Sequence, residues 1–334
     1  MMKGDKNQII EKVTIIGGTH GNEYIGPYFI AKVEKLGIYQ NNAIEVATLL
    51  ANPEAFCQAR RFIDQDLNRS FSPHILTGTQ KPYECQRARE IARHFSQNEP
   101  DQHFIIDLHS TTANMGITLI VRNNEPLNLR TAAYVQKNIP EARILLSDKD
   151  NAQDLQHRSL SSISRFGIVI EVGPLPNAVI RHDLFEATEK VVALAVKFLT
   201  LSKTREEPKL PGEVTVFKPR EKAPYPRDAE GELTAMVHRD LQDRDYRLLE
   251  ASHPVFMTFQ GVEIQYAGER GYPVFINEAA YYLEDTAFII TDKVAVSLKY
   301  PPTSGSTQIA DHLAADWRPT TNPHTYLNTS EKTS

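Results

Sequence analysis

His20 and Glu23 stand three residues apart in the stretch Gly17-Gly18-Thr19-His20-Gly21-Asn22-Glu23, directly after the apolar run Val13-Thr14-Ile15-Ile16. An imidazole and a carboxylate at this spacing face one cation across a single turn, and zinc accepts both at about 2.0–2.2 Å. The glycines around them let the backbone turn sharply where a strand ends. Taken alone the pair is ambiguous, because H-x-x-E also occurs on solvated helices. His109 follows another apolar run, Phe104-Ile105-Ile106-Asp107-Leu108. It completes a two-histidine, one-glutamate set that leaves a fourth zinc position open for water. Asp107, two residues earlier, is either a partner that orients such a ligand or a structural carboxylate.

Glu171 closes a third apolar run, Ile168-Val169-Ile170. A carboxylate there is costly to bury without a partner. A general base beside a metal-activated water is one reason to keep it, and a strand-end salt bridge is the other. In open α/β sheets ligands bind outside the carboxyl ends of the strands. His20, Glu23, His109 and Glu171 all fall at or just after such ends, which unrelated surface residues would not do, so together they read as a hydrolytic metal centre. Residues 60–69, Arg-Arg-Phe-Ile-Asp-Gln-Asp-Leu-Asn-Arg, form a charged loop. Beside such a centre its arginines suit a bidentate grip on a carboxylate or a donor to an oxyanion.

The elements that must position these side chains follow from periodicity. Continuous apolar runs at residues 13–16, 44–50, 104–106, 117–121, 143–146 and 168–170 suit strands buried on both faces. Residues 82–95 open on a proline, as a helix start tolerates. Residues 183–201 place Leu184, Val191, Ala195, Phe198 and Leu199 at helical spacing. Strands alternating with helices predict an α/β domain, with a largely parallel sheet, over residues 1–202. Residues 203–212, charged and carrying two prolines, read as a linker. Short β-rich runs at 213–217, 233–237, 254–259, 262–266, 273–276 and 287–290 predict a smaller all-β domain over 213–300. From residue 301 the Ser, Thr, Pro and Asn content predicts an extended or disordered tail.

Bulk composition narrows the partners. The 334 residues carry a net charge of −5, without the basic excess that general nucleic-acid binding needs. No run of about 18 apolar residues predicts a membrane span, and the first ten residues lack the apolar core of a signal peptide. Two cysteines, Cys57 and Cys85, are too few for a disulfide-built scaffold. The expected setting is reducing and cytoplasmic.

Together with YECQRAREI, DLHSTTANMG, IEVGPLPNAVIRHD, LQDRDY and PVFINEAAYY, these motifs resemble the aspartoacylase/succinylglutamate desuccinylase family over roughly residues 12–291. The resemblance implies a zinc-carboxypeptidase-like fold with one Zn²⁺ per chain, held by His20, Glu23 and His109. It implies Glu171 as general base and Arg61 as the group that polarises the scissile carbonyl. Asn68 and Arg69 match the pair that grips the substrate's α-carboxylate, and Tyr281 matches a tyrosine brought in from the β domain. The implied partner is a small N-acyl amino acid, and homo-oligomer formation stays open. The implied reaction is hydrolysis of a linear amide, N-acyl-L-aspartate such as N-acetylaspartate, to a carboxylate and L-aspartate. One segment departs from the pattern. Where the family places a tyrosine and, four residues on, an arginine to meet a side-chain carboxylate, this chain has His157 and Ser161. Arg158 is nearby but out of register, and is the candidate for that contact. The alternatives are an aminoacylase for N-acetylated aromatic or other neutral amino acids, and a non-catalytic metal or small-molecule binding protein on the same scaffold.

Overall fold

Most of the apolar runs become buried strands, with helices linking several of them; the run at 44–50 forms a half-buried strand at the sheet's edge. The computed structural model describes residues 9–96, 102–123, 125–147, 159–298 and 327–329. In chain order these form β1 (Lys12–Gly17), α1 (Ile25–Leu36), β2 (Glu45–Leu50), α2 (Pro53–Cys57), α3 (Pro73–Thr77), α4 (Tyr83–Ser96), β3 (His103–Ser110), β4 (Gly116–Val121), α5 (Pro126–Asn138), β5 (Arg143–Leu146), β6 (Phe166–Gly173) and α6 (His182–Lys203). The C-terminal part adds β7 (Glu213–Ala223), β8 (Ala235–Val237), β9 (Pro254–Thr258), β10 (Glu263–Tyr266), β11 (Tyr272–Val274), β12 (Phe288–Ser297) and β13 (Leu327–Thr329). Short 3₁₀ turns cover Leu67–Arg69, Leu160–Ile163 and Ala279–Glu284.

Nine strands make one mixed, mostly parallel sheet in the order β11-β12-β7-β5-β4-β6-β3-β1-β2. Side chains alternate across it. Val13, Ile15, Phe104, Ile106, Ile168 and Ile170 join one core with α1, α5 and α6, while Ile16 and Ile105 join another with Ala88, Ile91 and Phe95 of α4. Burial on both faces explains why these strands are continuous apolar runs. Helix α1 shows the local logic: Ile25, Phe29, Ile30 and Val33 are buried, and Gly37 ends the helix in the left-handed region, φ 61°, with its N–H on the Val33 carbonyl.

The topology decides where a site forms. From β1 the chain steps outward to β2, then crosses back to β3 on the other side of β1. Connections leave the carboxyl ends of β1 and β3 in opposite directions, and the crevice between them is the usual ligand position in such sheets. His20 and Glu23 follow β1, His109 lies at the end of β3, and Glu171 is its register partner on β6.

The C-terminal β domain shares the large sheet rather than standing apart from it. β7 runs beside β5, and β12 and β11 continue the sheet antiparallel. A second sheet, β13-β10-β9-β8, packs Val237, Phe256 and Ile264 against Phe288 and Ile290 of β12. β7 and β12 extend well past the runs 213–217 and 287–290. Beyond those runs, residues 218–223 are mostly half-buried and largely charged, and residues 292–297 alternate half-buried and exposed, patterns that a search for apolar runs passes over. Of the predicted tail, Leu327–Thr329 pairs with β10; residues 301–326 and 330–334 lie outside the described residues. Among the described residues no helix is long and apolar enough to cross a membrane.

Two glycines are steric requirements of the turn after β1. Gly18 has φ +70°, and a Cβ on Gly21 would lie 2.2 Å from the backbone carbon of Ala55 in α2. Gly21→Ala must displace α2 or the His20 turn. It is expected to destabilise the protein by about 1–3 kcal/mol, as overpacking does. Urea denaturation checks this; a midpoint equal to the wild type would show that α2 is free to shift.

Candidate active site

The site grows outward from Glu23. Its Oε1 lies 2.6 Å from Nδ1 of His20, and its Oε2 lies 2.9 Å from Nδ1 of His109. Oε2 also accepts from the Ser110 N–H, and Oε1 from Nη1 of Arg61. Behind each ring stands a further carboxylate. Nε2 of His20 is 3.1 Å from Oδ1 of Asp66, and Nε2 of His109 is 3.1 Å from Oδ2 of Asp107. Thr19 donates to the other Asp107 oxygen. All three of His20, Glu23 and His109 are buried, and their ligand atoms lie within 4.8 Å of one another.

This donor set fits a metal ion. A ring that gives its Nε2 proton to the acid behind it turns a bare Nδ1 lone pair toward Glu23. At His20 the Asp66 contact is a hydrogen bond, so that ring can turn a bare Nδ1 lone pair toward Glu23, and such a contact calls for a proton or a cation between the two. An acid behind each imidazole is also the arrangement that fixes tautomer and basicity in metal-ligating histidines. The electrostatics agree. Burial alone would raise the Glu23 carboxyl, but the two neighbouring rings hold it far below its ordinary range. Burial would lower His109, yet Asp107 and Glu23 push it well above its ordinary value. The cluster therefore demands positive charge.

Glu171 sits beside this centre. It is half-buried, and its Oε2 is buried without a hydrogen-bond partner in the protein. Burial lifts its carboxyl to about 8, with Glu23 and Glu278 adding to the rise and His109 opposing it. A carboxyl poised near neutrality suits proton transfer.

The loop carrying Arg61 is fixed by a buried acid on α4. Glu84 accepts from the N–H groups of Ile63, Asp64 and Gln65 at 2.7, 3.0 and 3.2 Å, and from the Asn52 side chain at 3.1 Å. Held this way, Arg61 donates to Glu23 and to Asp66. Asp66 also caps the 3₁₀ turn Leu67–Arg69. Within that turn Asn68 Oδ1 accepts from Leu160 N–H, and Arg69 Nη2 donates to Glu284 Oε1 at 3.0 Å.

From the C-terminal domain, the 3₁₀ turn Ala279–Glu284 delivers Tyr281. Burial pushes its hydroxyl well above the ordinary phenol range, while the Arg69 charge pulls it down and Glu171 adds to the rise. Glu278 caps this turn and anchors it to the loop after β3. One of its oxygens accepts from the Thr111 and Thr112 hydroxyls and from the N–H groups of Thr112 and Ala113.

Comparison with known proteins fits this geometry. Residues 9–199 match the Succinylglutamate desuccinylase/Aspartoacylase catalytic domain, and residues 212–293 match the AstE/AspA barrel-sandwich hybrid domain. The chain belongs to the aspartoacylase/succinylglutamate desuccinylase family. It is 36% identical over 292 residues to a Nostoc protein named probable aspartoacylase, covering 86% of this chain and 98% of that one. It is 37% identical over 295 residues to a Xenopus laevis N-acyl-aromatic-L-amino acid amidohydrolase (carboxylate-forming), covering 85% and 95%. The crystal structure of murine aminoacylase 3 superposes with a TM-score of 0.80 at 34% identity, covering 88% of this chain and 98% of that one.

The fold of this family brings together His20, Glu23, His109, Glu171, Arg61, Asn68, Arg69 and Tyr281. His157 and Arg158 lie outside the described residues. Ser161, the other departure from the family pattern, is buried with its hydroxyl 3.1 Å from that of Ser159. Sequence reasoning passed over four acids: Asp66, Glu84, Glu278 and Glu284. Asp66 stood inside the motif read for its arginines, and Glu278 inside NEAAYY. The spacing of Tyr281 and Glu284 would have placed both on one side of a 3₁₀ turn, where residues i and i+3 eclipse, with Glu278 at its start.

Glu171 yields a pH test on metal-free protein. Native Glu171 keeps a proton up to about 8, whereas an unfolded carboxyl releases it near 4.5. The unfolded state thus binds fewer protons in this window, and Glu171 costs stability progressively as pH rises through it. Glu171→Gln removes that cost. Its urea midpoint should exceed the wild type's at pH 8, and the gap should close toward pH 4.5. A gap independent of pH would show that Glu171 titrates as an ordinary carboxylate.

Proposed function

We propose that this chain is a zinc-dependent amidohydrolase that cleaves the amide of a small N-acyl-L-amino acid into a carboxylate and the free amino acid. The observation that carries this reading is the convergence of His20 Nδ1, His109 Nδ1 and Glu23 beside Glu171, whose buried Oε2 has no partner of its own. Zinc held by His20, Glu23 and His109 would supply a Lewis acid for water and for the amide carbonyl. Glu171 takes a proton from the attacking water as the C–O bond forms. It returns a proton to the amide nitrogen as the C–N bond breaks. Arg61 donates to the carbonyl oxygen as negative charge grows there. Arg69 holds the α-carboxylate through charge-assisted hydrogen bonds. Asn68, whose carbonyl is committed to Leu160, has its NH₂ left to donate to the same group. Tyr281 closes that end with its hydroxyl. Two free cysteines, Cys57 and Cys85, suit a cytoplasmic setting.

The acylated residue has two readings. N-acyl-L-aspartate is supported by the relatives named aspartoacylase. It brings a second carboxylate, for which Arg158 is the candidate partner. An N-acetylated aromatic or other neutral amino acid is supported by the relatives named for aromatic substrates. A specific observation favours this second reading: Arg61 and Arg69 are already engaged by carboxylates of the protein itself.

Purified protein should contain about one zinc per chain. His20→Ala and His109→Ala should lose it by elemental analysis, and full retention in both would overturn the metal assignment. Glu171→Gln should keep the zinc and lose about 10²–10⁴-fold in kcat, the usual contribution of a general base. Hydrolysis of N-acetylaspartate and N-acetyltyrosine distinguishes the substrates. If Arg158 meets a side-chain carboxylate, Arg158→Ala should lower kcat/KM for N-acetylaspartate by about 10–150-fold and spare N-acetyltyrosine. Small, equal effects on both would support the neutral reading.

A further inference from the structure

Arg69 is already occupied. Its Nη2 donates to Oε1 of Glu284 at 3.0 Å, while Nη1 reaches only the neighbouring Asn68 carbonyl at 3.3 Å. The other Glu284 oxygen accepts from Nζ of Lys222, on β7, at 3.3 Å. One carboxylate thus bridges the guanidinium assigned to the substrate and a second cation from the C-terminal domain. Glu284 is not an incidental surface acid. It ends the 3₁₀ turn that Glu278 anchors to the loop after β3, three residues beyond Tyr281, and i, i+3 side chains eclipse in such a turn. The turn that delivers the tyrosine to the pocket delivers this carboxylate with it.

We propose that Glu284 is a built-in competitor for the substrate's carboxylate: it occupies Arg69 in the resting site, yields when substrate arrives, and penalises each further negative charge the substrate brings. The reasoning rests on the functional reading above for the identity of the ligand. A carboxylate reaching Arg69 must displace the Glu284 contact or share the guanidinium with it, and either lowers the net gain on binding. Lys222 moderates the competition by drawing Glu284 the other way. Glu284 therefore sets how tightly monoanionic acyl-amino acids bind, and it tilts selection away from dianionic ones.

The test measures equilibrium binding, so it does not depend on turnover. In zinc-loaded Glu171→Gln protein, calorimetric titration with N-acetyl-L-tyrosine gives the reference Kd. Adding Glu284→Gln should lower that Kd by about two- to tenfold. The range is modest because the two side chains are 32% and 36% exposed and solvent screens the pair. The gain for N-acetyl-L-aspartate should be larger than for N-acetyl-L-tyrosine. Lys222→Met should raise Kd while Glu284 is present and leave it unchanged once residue 284 is glutamine, a dependence that a merely structural role for Glu284 does not produce. An unchanged or raised Kd in Glu284→Gln overturns the proposal, as does absence of binding in both proteins. Equal gains for the two ligands overturn the charge filter. Turnover by the wild type, measured separately, tests the amidohydrolase reading: a protein inert toward acyl-amino acids that still tightens its binding in Glu284→Gln would sink that reading and keep this one.

Discussion

Everything in the site depends on one buried carboxylate. Glu23 lies in the core end of the crevice with an imidazole on each oxygen, and Asp66 and Asp107 press negative charge on the far side of those rings. Burying one unpaired carboxylate is expensive, and Glu23 is joined here by the buried Asp107 and the half-buried Asp66. Arg61 offsets part of this by bridging Glu23 and Asp66. On the amidohydrolase reading proposed above, the same guanidinium that makes the anionic cradle tolerable would meet the reacting amide. The three ligand-type side chains gathered here could together hold a metal ion.

That arrangement is held by rigid elements at short range. His109 and Glu171 are register partners on adjacent parallel strands, so the spacing between these two side chains is set by sheet geometry rather than by a loop. The turn bearing His20 and Glu23 is forced into shape by Gly18's positive φ and by the close approach of α2 to Gly21. The Arg61 loop has no regular structure, and a buried acid supplies what a strand partner would have done. Glu84 accepts three consecutive N–H groups there. Preorganisation of this kind is what lets donors act on developing charge without reorganising.

The sequence made the catalytic half of the molecule readable because its signals are local and strongly patterned. Strands buried on both faces are continuous apolar runs, and ligand-type residues at their ends are conspicuous. Less was readable where structure depends on distant partners. β7 and β12 outrun their apolar stretches because residues 218–223 pair with 288–292 and residues 293–297 pair with 213–217, each held by the partner strand's backbone. Nor does periodicity show that these strands continue the large sheet, since that follows from the placement of β7 beside β5. The four overlooked acids share a cause. Asp66, Glu84, Glu278 and Glu284 act on groups supplied by other segments, from the neighbouring 3₁₀ turn to partners across the domain boundary, and a carboxylate whose partner is elsewhere in the chain looks like any solvated acid.

Among the described residues the C-terminal domain brings Glu278, Tyr281 and Glu284 to the crevice on one short turn. A 3₁₀ helix repeats every three residues, so Tyr281 and Glu284 lie on one side of the turn, and Glu278 caps its start. Glu278 locks the turn to the loop that follows β3, Tyr281 brings a hydroxyl beside Arg69 and Glu171, and Glu284 brings a carboxylate onto Arg69. An α-helix would rotate residues three apart off that side, and a loop would not hold the two in step. Glu278 therefore supports, from the cap, the turn that carries Tyr281 and Glu284. That one turn therefore presents both the Tyr281 hydroxyl and the Glu284 carboxylate to Arg69.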